Sequence, residues 1–248
     1  MKRILVVALI LLSLSIPTGV RALAPSQTIR LQNKALLLSS LNATIPMGKD
    51  ASLLISYLNQ AGYSVTYLAD TAVTVNYVVN GLNNYSLVIW RTNTYMIEHT
   101  LYWYVGDVAD SGVRQAYASD FSAGRLNSDA GIVGMTPNFI KAHFGPGSLS
   151  HVKLLMFIAS FGNSIAPQFL AAGASTVVFG SGIITLQGGL IDDLTVHLVS
   201  YLTDGQNVQT AVYNTLTPYD QGQQPSDNLD STYAPPFWFI GNGALTIP

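Results

Sequence analysis

An α/β fold is predicted, a three-layer arrangement with a mostly parallel central sheet, helices on both faces and a β-hairpin insertion. Three observations predict it. Short apolar runs bounded by polar residues recur from residue 34 to the carboxyl terminus, and apolar stripes at helical spacing lie between them. The alternation breaks once, over about residues 93–130, where aromatic residues and Gly/Asp turns cluster.

The first element, Lys34-Ala-Leu-Leu-Leu-Ser39, is apolar without alternation, as a strand buried on both faces must be. Asp50 stands as an N-cap before Leu53, Leu54, Tyr57, Leu58 and Ala61, one helical stripe that Gly62 stops. Tyr63-Ser-Val-Thr-Tyr-Leu68 is a second strand, and residues 74–82 are the crossover helix that a third strand, 85–91, requires. In the insertion, Leu101-Tyr-Trp-Tyr-Val105, a turn at Gly106, Asp107 and Asp110-Ser-Gly112, and then residues 113–121 predict an aromatic hairpin. Order resumes at Gly131-Ile-Val-Gly-Met135. Thr136 and Pro137 open a helix carrying Phe139, Ile140 and His143, and Gly145-Pro-Gly147 closes it. A strand over 152–159, a helix over 165–172 and a strand over 175–180 follow. Helices are expected over 190–202 and over 208–216, the latter capped by Asn207, then a loop over 217–236 and a last strand, Phe237-Trp-Phe-Ile240.

Met1-Lys2-Arg3, an apolar run over 4–16, Pro17 and Val20-Arg21-Ala22 form the pattern of a cleaved export signal over 1–22, leaving one domain over 23–248. The expectation is a secreted or cell-surface protein, with no membrane span once the signal is removed. Loss of Lys2, Arg3 and Arg21 leaves 8 basic against 13 acidic side chains, which excludes nucleic acid as an expected partner. The chain has no cysteine, so disulfides, thiolate metal sites and a thiol nucleophile are excluded. Asn42-Ala-Thr44 and Asn84-Tyr-Ser86 are N-glycosylation acceptor patterns at Asn42 and Asn84.

Four segments fall in the order of a known superfamily. Residues 152–160 are an apolar strand ending in a small residue and Ser160; Phe169-Leu-Ala-Ala-Gly-Ala-Ser-Thr-Val-Val178 follows. Then come His197-Leu-Val-Ser-Tyr-Leu-Thr-Asp-Gly205 with Gln209-Thr-Ala-Val-Tyr213, and the closing Trp238-Phe-Ile-Gly-Asn-Gly-Ala-Leu-Thr-Ile247. Over roughly residues 34–248 the chain resembles the caspase-like superfamily in its clostripain, gingipain and CHAT branches. The resemblance implies a caspase-like sandwich and a catalytic histidine and cysteine after the third and fourth core strands. Here those positions read Asn93, followed by Thr94, and Ser160, and the family's closing Asp-Pro reads Asn242-Gly243.

A carboxamide cannot take a proton near neutral pH as an imidazole does, and a serine hydroxyl is far less ionised than a thiol. Of the histidines, only His99 shares a loop with Asn93; His151 begins the strand that ends at Ser160, about 25–30 Å away at roughly 3.3 Å per residue, and His143 and His197 fall on helices. The sequence therefore predicts a catalytically inactive domain acting in binding or assembly at the cell surface, needing no cofactor or metal, with protein or peptide as partner. Two alternatives stand beside it: an active serine-type hydrolase using Ser160 with His99, and a self-assembling envelope or filament subunit, suggested by 10% charged residues and many Tyr and Asn. Tyr95, Tyr102, Trp103 and Tyr104, with Tyr117, form either a contact surface or ordinary packing of the hairpin. Gly180-Ser-Gly182 reads as a tight turn rather than a dinucleotide loop, and Asp192-Asp193 as the acidic first turn of a helix rather than a cation site.

Overall fold

The computed structural model describes residues 33–183, 190–220 and 237–248. The chain divides into the units Met1–Arg30 and Leu31–Pro248. The segment 1–22, read from the sequence as an export signal, and most of the expected 217–236 loop lie outside the described residues.

The second unit is an α/β sandwich. Its central sheet contains β1 (Lys34–Ser39), β2 (Ser64–Ala69), β3 (Leu87–Arg91), β8 (Leu154–Ile158), β9 (Thr176–Gly180) and β10 (Phe237–Gly241). They run in the order β10-β9-β8-β3-β1-β2, parallel except for β10, which pairs antiparallel with β9. The remaining strands, β4 (Thr94–Ile97), β5 (Thr100–Val108), β6 (Leu126–Asp129) and β7 (Ile132–Met135), make a second, antiparallel sheet in the order β4-β5-β7-β6.

The runs over β1, β3, β8 and β9 are apolar between their ends, with Lys34, Ser39, Arg91 and Thr176 at the termini, because both of their faces are covered. Leu36 and Leu38 of β1 point into one core and Ala35 and Leu37 into the other. The helices α1 (Lys49–Gln60), α7 (Leu190–Thr203) and α8 (Val208–Asp220) close one face with Leu54, Leu58, Leu198 and Val199. The other face is closed by α2 (Val75–Gly81), α5 (Pro137–His143) and α6 (Ala166–Ala171), joined by the inner side of the second sheet through Trp103, Val105, Val133 and Met135. Thr74 caps α2 by accepting the Tyr77 N–H, and Asn207 accepts the Thr210 N–H at the start of α8.

Several expectations need correction. The insertion is two hairpins rather than one. Their two-residue turns, Glu98-His99 and Ala130-Gly131, all have positive φ, which matches the right-handed twist of the flanking strands. Residues 113–121 do not form a strand. They lie in α3 (Ser111–Ala116) and α4 (Ala118–Ser122), with Asp110 accepting the Val113 N–H as N-cap. Val113, Tyr117 and Phe121, four residues apart, pack on the core, and that spacing is helical. Residues 132–135 belong to this second sheet and not to the central one. Asp50 is not the cap of α1. Gly48 occupies that position, and Asp50 lies buried in the first turn. The last helix runs on to Asp220, into what reads as loop.

Candidate functional site at the carboxyl ends of the central strands

In β3 and β8 the pairing runs from Leu87 with Leu154 to Arg91 with Ile158, and the Thr92 N–H still donates to the Ile158 carbonyl at 3.0 Å. Asn93 and Ser160 therefore each stand two residues past a paired position on adjacent strands. Open α/β sheets bind ligands in the crevice at such carboxyl ends.

The Asn93 side chain is half-buried and turned back on its own backbone: its Oδ1 accepts the Thr94 N–H at 2.8 Å, and its carbonyl accepts the Tyr104 N–H. The Thr92 hydroxyl donates to the Tyr104 carbonyl at 2.6 Å, so β5 is stitched along the segment leaving β3. Ser160 is only 5% exposed, and its carbonyl accepts the indole N–H of fully buried Trp103 at 3.0 Å. Phe161 follows in the left-handed region at φ 55°, a costly conformation for an aromatic residue and one that collects at functional turns. Its N–H donates to the Gly182 carbonyl, while a Cβ at Gly162 would meet the Gly180 carbonyl oxygen at 2.9 Å. Gly180-Ser-Gly182 thus packs as a turn against the one that follows Ser160.

The aromatic residues of the insertion divide by face. Trp103 points to the core beside Phe157, with ring centroids 6.1 Å apart, and is entirely buried, so its role is packing. On the opposite side Tyr95 stacks on Tyr102 at 5.2 Å and leans on Tyr104 at 4.6 Å. Tyr102 is buried with its hydroxyl donating to the Gly124 carbonyl, which leaves half-buried Tyr95 and Tyr104 as the rings solvent reaches. Burial raises the pKa of both hydroxyls, with neighbouring Tyr104 and Asp129 adding to it.

His99 sits exposed in the β4–β5 turn. Trp103, the residue of β5 that reaches Ser160, is four residues along the strand, or about 13 Å at roughly 3.3 Å per residue. His143 engages both Asp120 carboxylate oxygens at 3.1 Å, and Arg125 donates to the same Asp120 at 2.6 Å. His151 and His197 are exposed. Asn84 is exposed at the end of a 3-10 turn over 82–84, whereas half-buried Asn42 accepts the Met47 N–H through its Oδ1.

A second polar cluster lies at the same ends of β1 and β3, where the strand order reverses direction. Arg91 is 1% exposed and grips Asp192 with two parallel bonds, Nε to Oδ1 at 2.6 Å and Nη2 to Oδ2 at 2.8 Å. Its Nη1 also donates to the Ile45 carbonyl at 2.8 Å and the Ser39 hydroxyl at 3.3 Å. Burial raises the Asp192 pKa, and the hydrogen bonds and charge of Arg91 oppose that shift. Sequence reading left Arg91 without a role and gave Asp192 only a helix-dipole role, because the partners stand 101 residues apart. The signal was a lone arginine ending an otherwise apolar strand.

Nearby Asp50 is 5% exposed and its Oδ1 has no hydrogen-bond partner. Its pKa is raised, first by burial and then by Asp193 and Asp192. A carboxyl whose folded pKa lies above its unfolded one retains its proton longer in the folded state, so stability falls as pH rises from about 4 through the folded value. Asp50→Asn removes that slope. The substitution is expected to raise the urea midpoint at pH 7 and leave it unchanged at pH 3.5; equal shifts at both values would refute the assignment.

No family model matches this sequence, and no curated protein does. Among solved structures it is similar to GSU0716 of Geobacter sulfurreducens, with 11% identity, a TM-score of 0.44 and coverage of 85% of this chain and 94% of that one. A likeness at that level assigns no role to any residue here. Among the described residues no helix is long and apolar enough to cross a membrane, and no three His, Asp or Glu side chains converge as metal ligands.

Proposed function

We propose that this chain is an exported, catalytically silent caspase-like domain that acts by binding or assembly at the cell surface, with the mouth of the central sheet as its contact site. The observation that supports the reading is the adjacency of the strand ends beyond Arg91 and Ile158, which carry Asn93 and Ser160, the two residues that the sequence resemblance aligns with the superfamily's histidine and cysteine. The Asn93 carboxamide is engaged with Thr94 and has no basic nitrogen. His99, the candidate base, is held in a turn about four residues of strand away from the Trp103–Ser160 contact. The strained Phe161 turn also supports the reading, since such a turn persists where an ancestral site required it. With 5% exposure, Ser160 is poorly placed for attack on a substrate.

The test is covalent. The purified protein is incubated with a fluorophosphonate and with a cysteine-directed ketone, and labelling is read by intact mass. The expected result is none. Stoichiometric fluorophosphonate labelling of wild type that disappears in Ser160→Ala would establish the serine-hydrolase reading instead.

A further inference from the structure

We propose that Asn242 is a self-modification site, at which the side-chain amide is lost to attack by the Gly243 nitrogen and water leaves an aspartyl or isoaspartyl residue, while the chain's other Asn-Gly pair is protected by its helix. The two pairs are Asn80-Gly81 and Asn242-Gly243. Glycine lacks a Cβ, so its nitrogen is the main-chain nucleophile least hindered in attacking a preceding asparagine. The attack forms a bond from Gly243 N to Asn242 Cγ and breaks the bond from Cγ to Nδ2. Ammonia leaves with the proton that the Gly243 nitrogen gives up, and a succinimide ring remains. Water then opens the ring at either of its carbonyls, so an amide nitrogen is exchanged for a water oxygen with no change in oxidation state.

The turn that follows β10 supplies what each step needs. Asn242 is exposed to water, and its Nδ2, the leaving group, donates to nothing among the described residues. The Gly243 N–H likewise has no acceptor among them, so the nucleophile is not tied up in a hydrogen bond. Asn242 Oδ1 accepts the Ala244 N–H at 3.1 Å. Negative charge develops on that oxygen as Cγ becomes tetrahedral, so a donor stands where the transition state needs one. The turn itself is held by the Leu245 N–H on the Asn242 carbonyl at 3.1 Å, and that carbonyl also accepts the Thr176 hydroxyl at 3.0 Å. The donor to Oδ1 is therefore in place before the attack.

Asn80-Gly81 is the same dipeptide with every one of these conditions reversed. Gly81 ends α2 in the right-handed region at φ -102° and ψ -34°, and the 3-10 turn over 82–84 continues the helix beyond it. Its N–H therefore belongs to the helical ladder and must break out of it to attack. The Asn80 Nδ2 is held by Asn76, on its Oδ1 at 2.8 Å and its carbonyl at 3.1 Å, which turns the amide back along the helix and away from the Gly81 nitrogen. Gly81 is buried, with the Tyr77 ring 2.9 Å from where a Cβ would stand, so the helix end cannot open without leaving that packing.

This inference is independent of whether the Asn93–Ser160 pair is silent, because it is read from the peptides that hold Asn80 and Asn242 and not from probe labelling. The folded full chain is kept at neutral pH in heavy-oxygen water, and its chymotryptic peptides are followed by mass spectrometry, with isoaspartyl residues counted by enzymatic methylation. Asn242 should convert with uptake of heavy oxygen, and Asn80 should convert at least about tenfold more slowly, since opening a packed helix end costs more than the roughly 1.4 kcal/mol that a tenfold rate represents. In concentrated urea, where neither turn nor helix survives, the two should convert at similar rates. Asn242→Gln should abolish the uptake in its peptide, because the longer side chain must close a larger ring, and Asn80→Gln should leave the conversion of Asn242 unchanged. An Asn242 that converts in urea and not in the folded chain overturns the proposal. So does equal conversion of both pairs in the folded chain, or a difference that persists in urea, which would assign the selectivity to the flanking residues and not to the fold.

Discussion

Arg91→Met is expected to destabilise the folded protein by about 3–5 kcal/mol, the usual cost of stranding one partner of a buried ion pair. The geometry leaves Asp192 little escape. The carboxylate is 2% exposed, both of its oxygens are committed to the guanidinium at 2.6 and 2.8 Å, and Asp193 and Asp50 add negative charge nearby. The same substitution strips a donor from the Ile45 carbonyl and from Ser39, loosening the segment between β1 and α1. Asp192→Leu should cost a similar amount by leaving the guanidinium buried and uncompensated. The double variant Arg91→Met with Asp192→Leu removes both charges, so its loss should fall about 2–3 kcal/mol short of the sum of the two singles. Urea unfolding with unchanged m-values is the measurement, and each single variant should also lower the thermal midpoint by about 10 °C. Additive singles would mean that the two side chains do not share one buried bond.

The partition between what was readable from the chain and what was not follows the range of the interactions. Fully apolar runs such as 154–158 announce themselves because a strand covered on both faces cannot afford a polar residue, and the helices between them carry stripes of period 3.6. Short-range chemistry was legible in part: Asn207 caps the helix it precedes, as expected, whereas Gly48 and not Asp50 stands at the cap of α1, and the sequence marks Thr74 only as helix and not as the cap it is. The neighbouring ends that bring Asn93 and Ser160 to one edge followed from two apolar runs taken as adjacent strands. The second sheet was not legible, since its turns are Glu98-His99 and Ala130-Gly131. Three of those four residues adopt positive φ without being glycine or asparagine, so the usual hairpin signal is missing. That turn also takes His99 away from the strand ends, which proximity in sequence could not reveal. The burial of Trp103 was hidden too. Its indole N–H is satisfied by a carbonyl 57 residues further along, so an aromatic run resembling a contact surface becomes the cover of the sheet.

That cover is fastened at one place where a single methyl group should undo it. Gly106→Ala is expected to cost about 3–5 kcal/mol, the sum of forced overpacking and a broken buried hydrogen bond. A Cβ at Gly106 would fall on the Asp70 carbonyl, with the Asp70 carbonyl carbon and the Thr71 nitrogen close behind. All three are main-chain atoms, so no side chain can swing aside. Asp70 itself stands at φ 50°, which leaves the turn little freedom to withdraw. Withdrawal would also pull the Val73 carbonyl from the Gly106 N–H, a 2.6 Å bond, and move the Asp107 carboxylate off the Val75 N–H at the start of α2. The damage should therefore extend from the second sheet into the helix beneath it. Amide exchange at Gly106 and Val75 should accelerate together, and the thermal midpoint should fall by about 10 °C. Gly145→Ala serves as the control, because a Cβ there meets nothing within 4 Å. If Gly106→Ala melts within about 2 °C of wild type, a shift worth under 1 kcal/mol at this size, then the second sheet does not rest on the 70–73 turn.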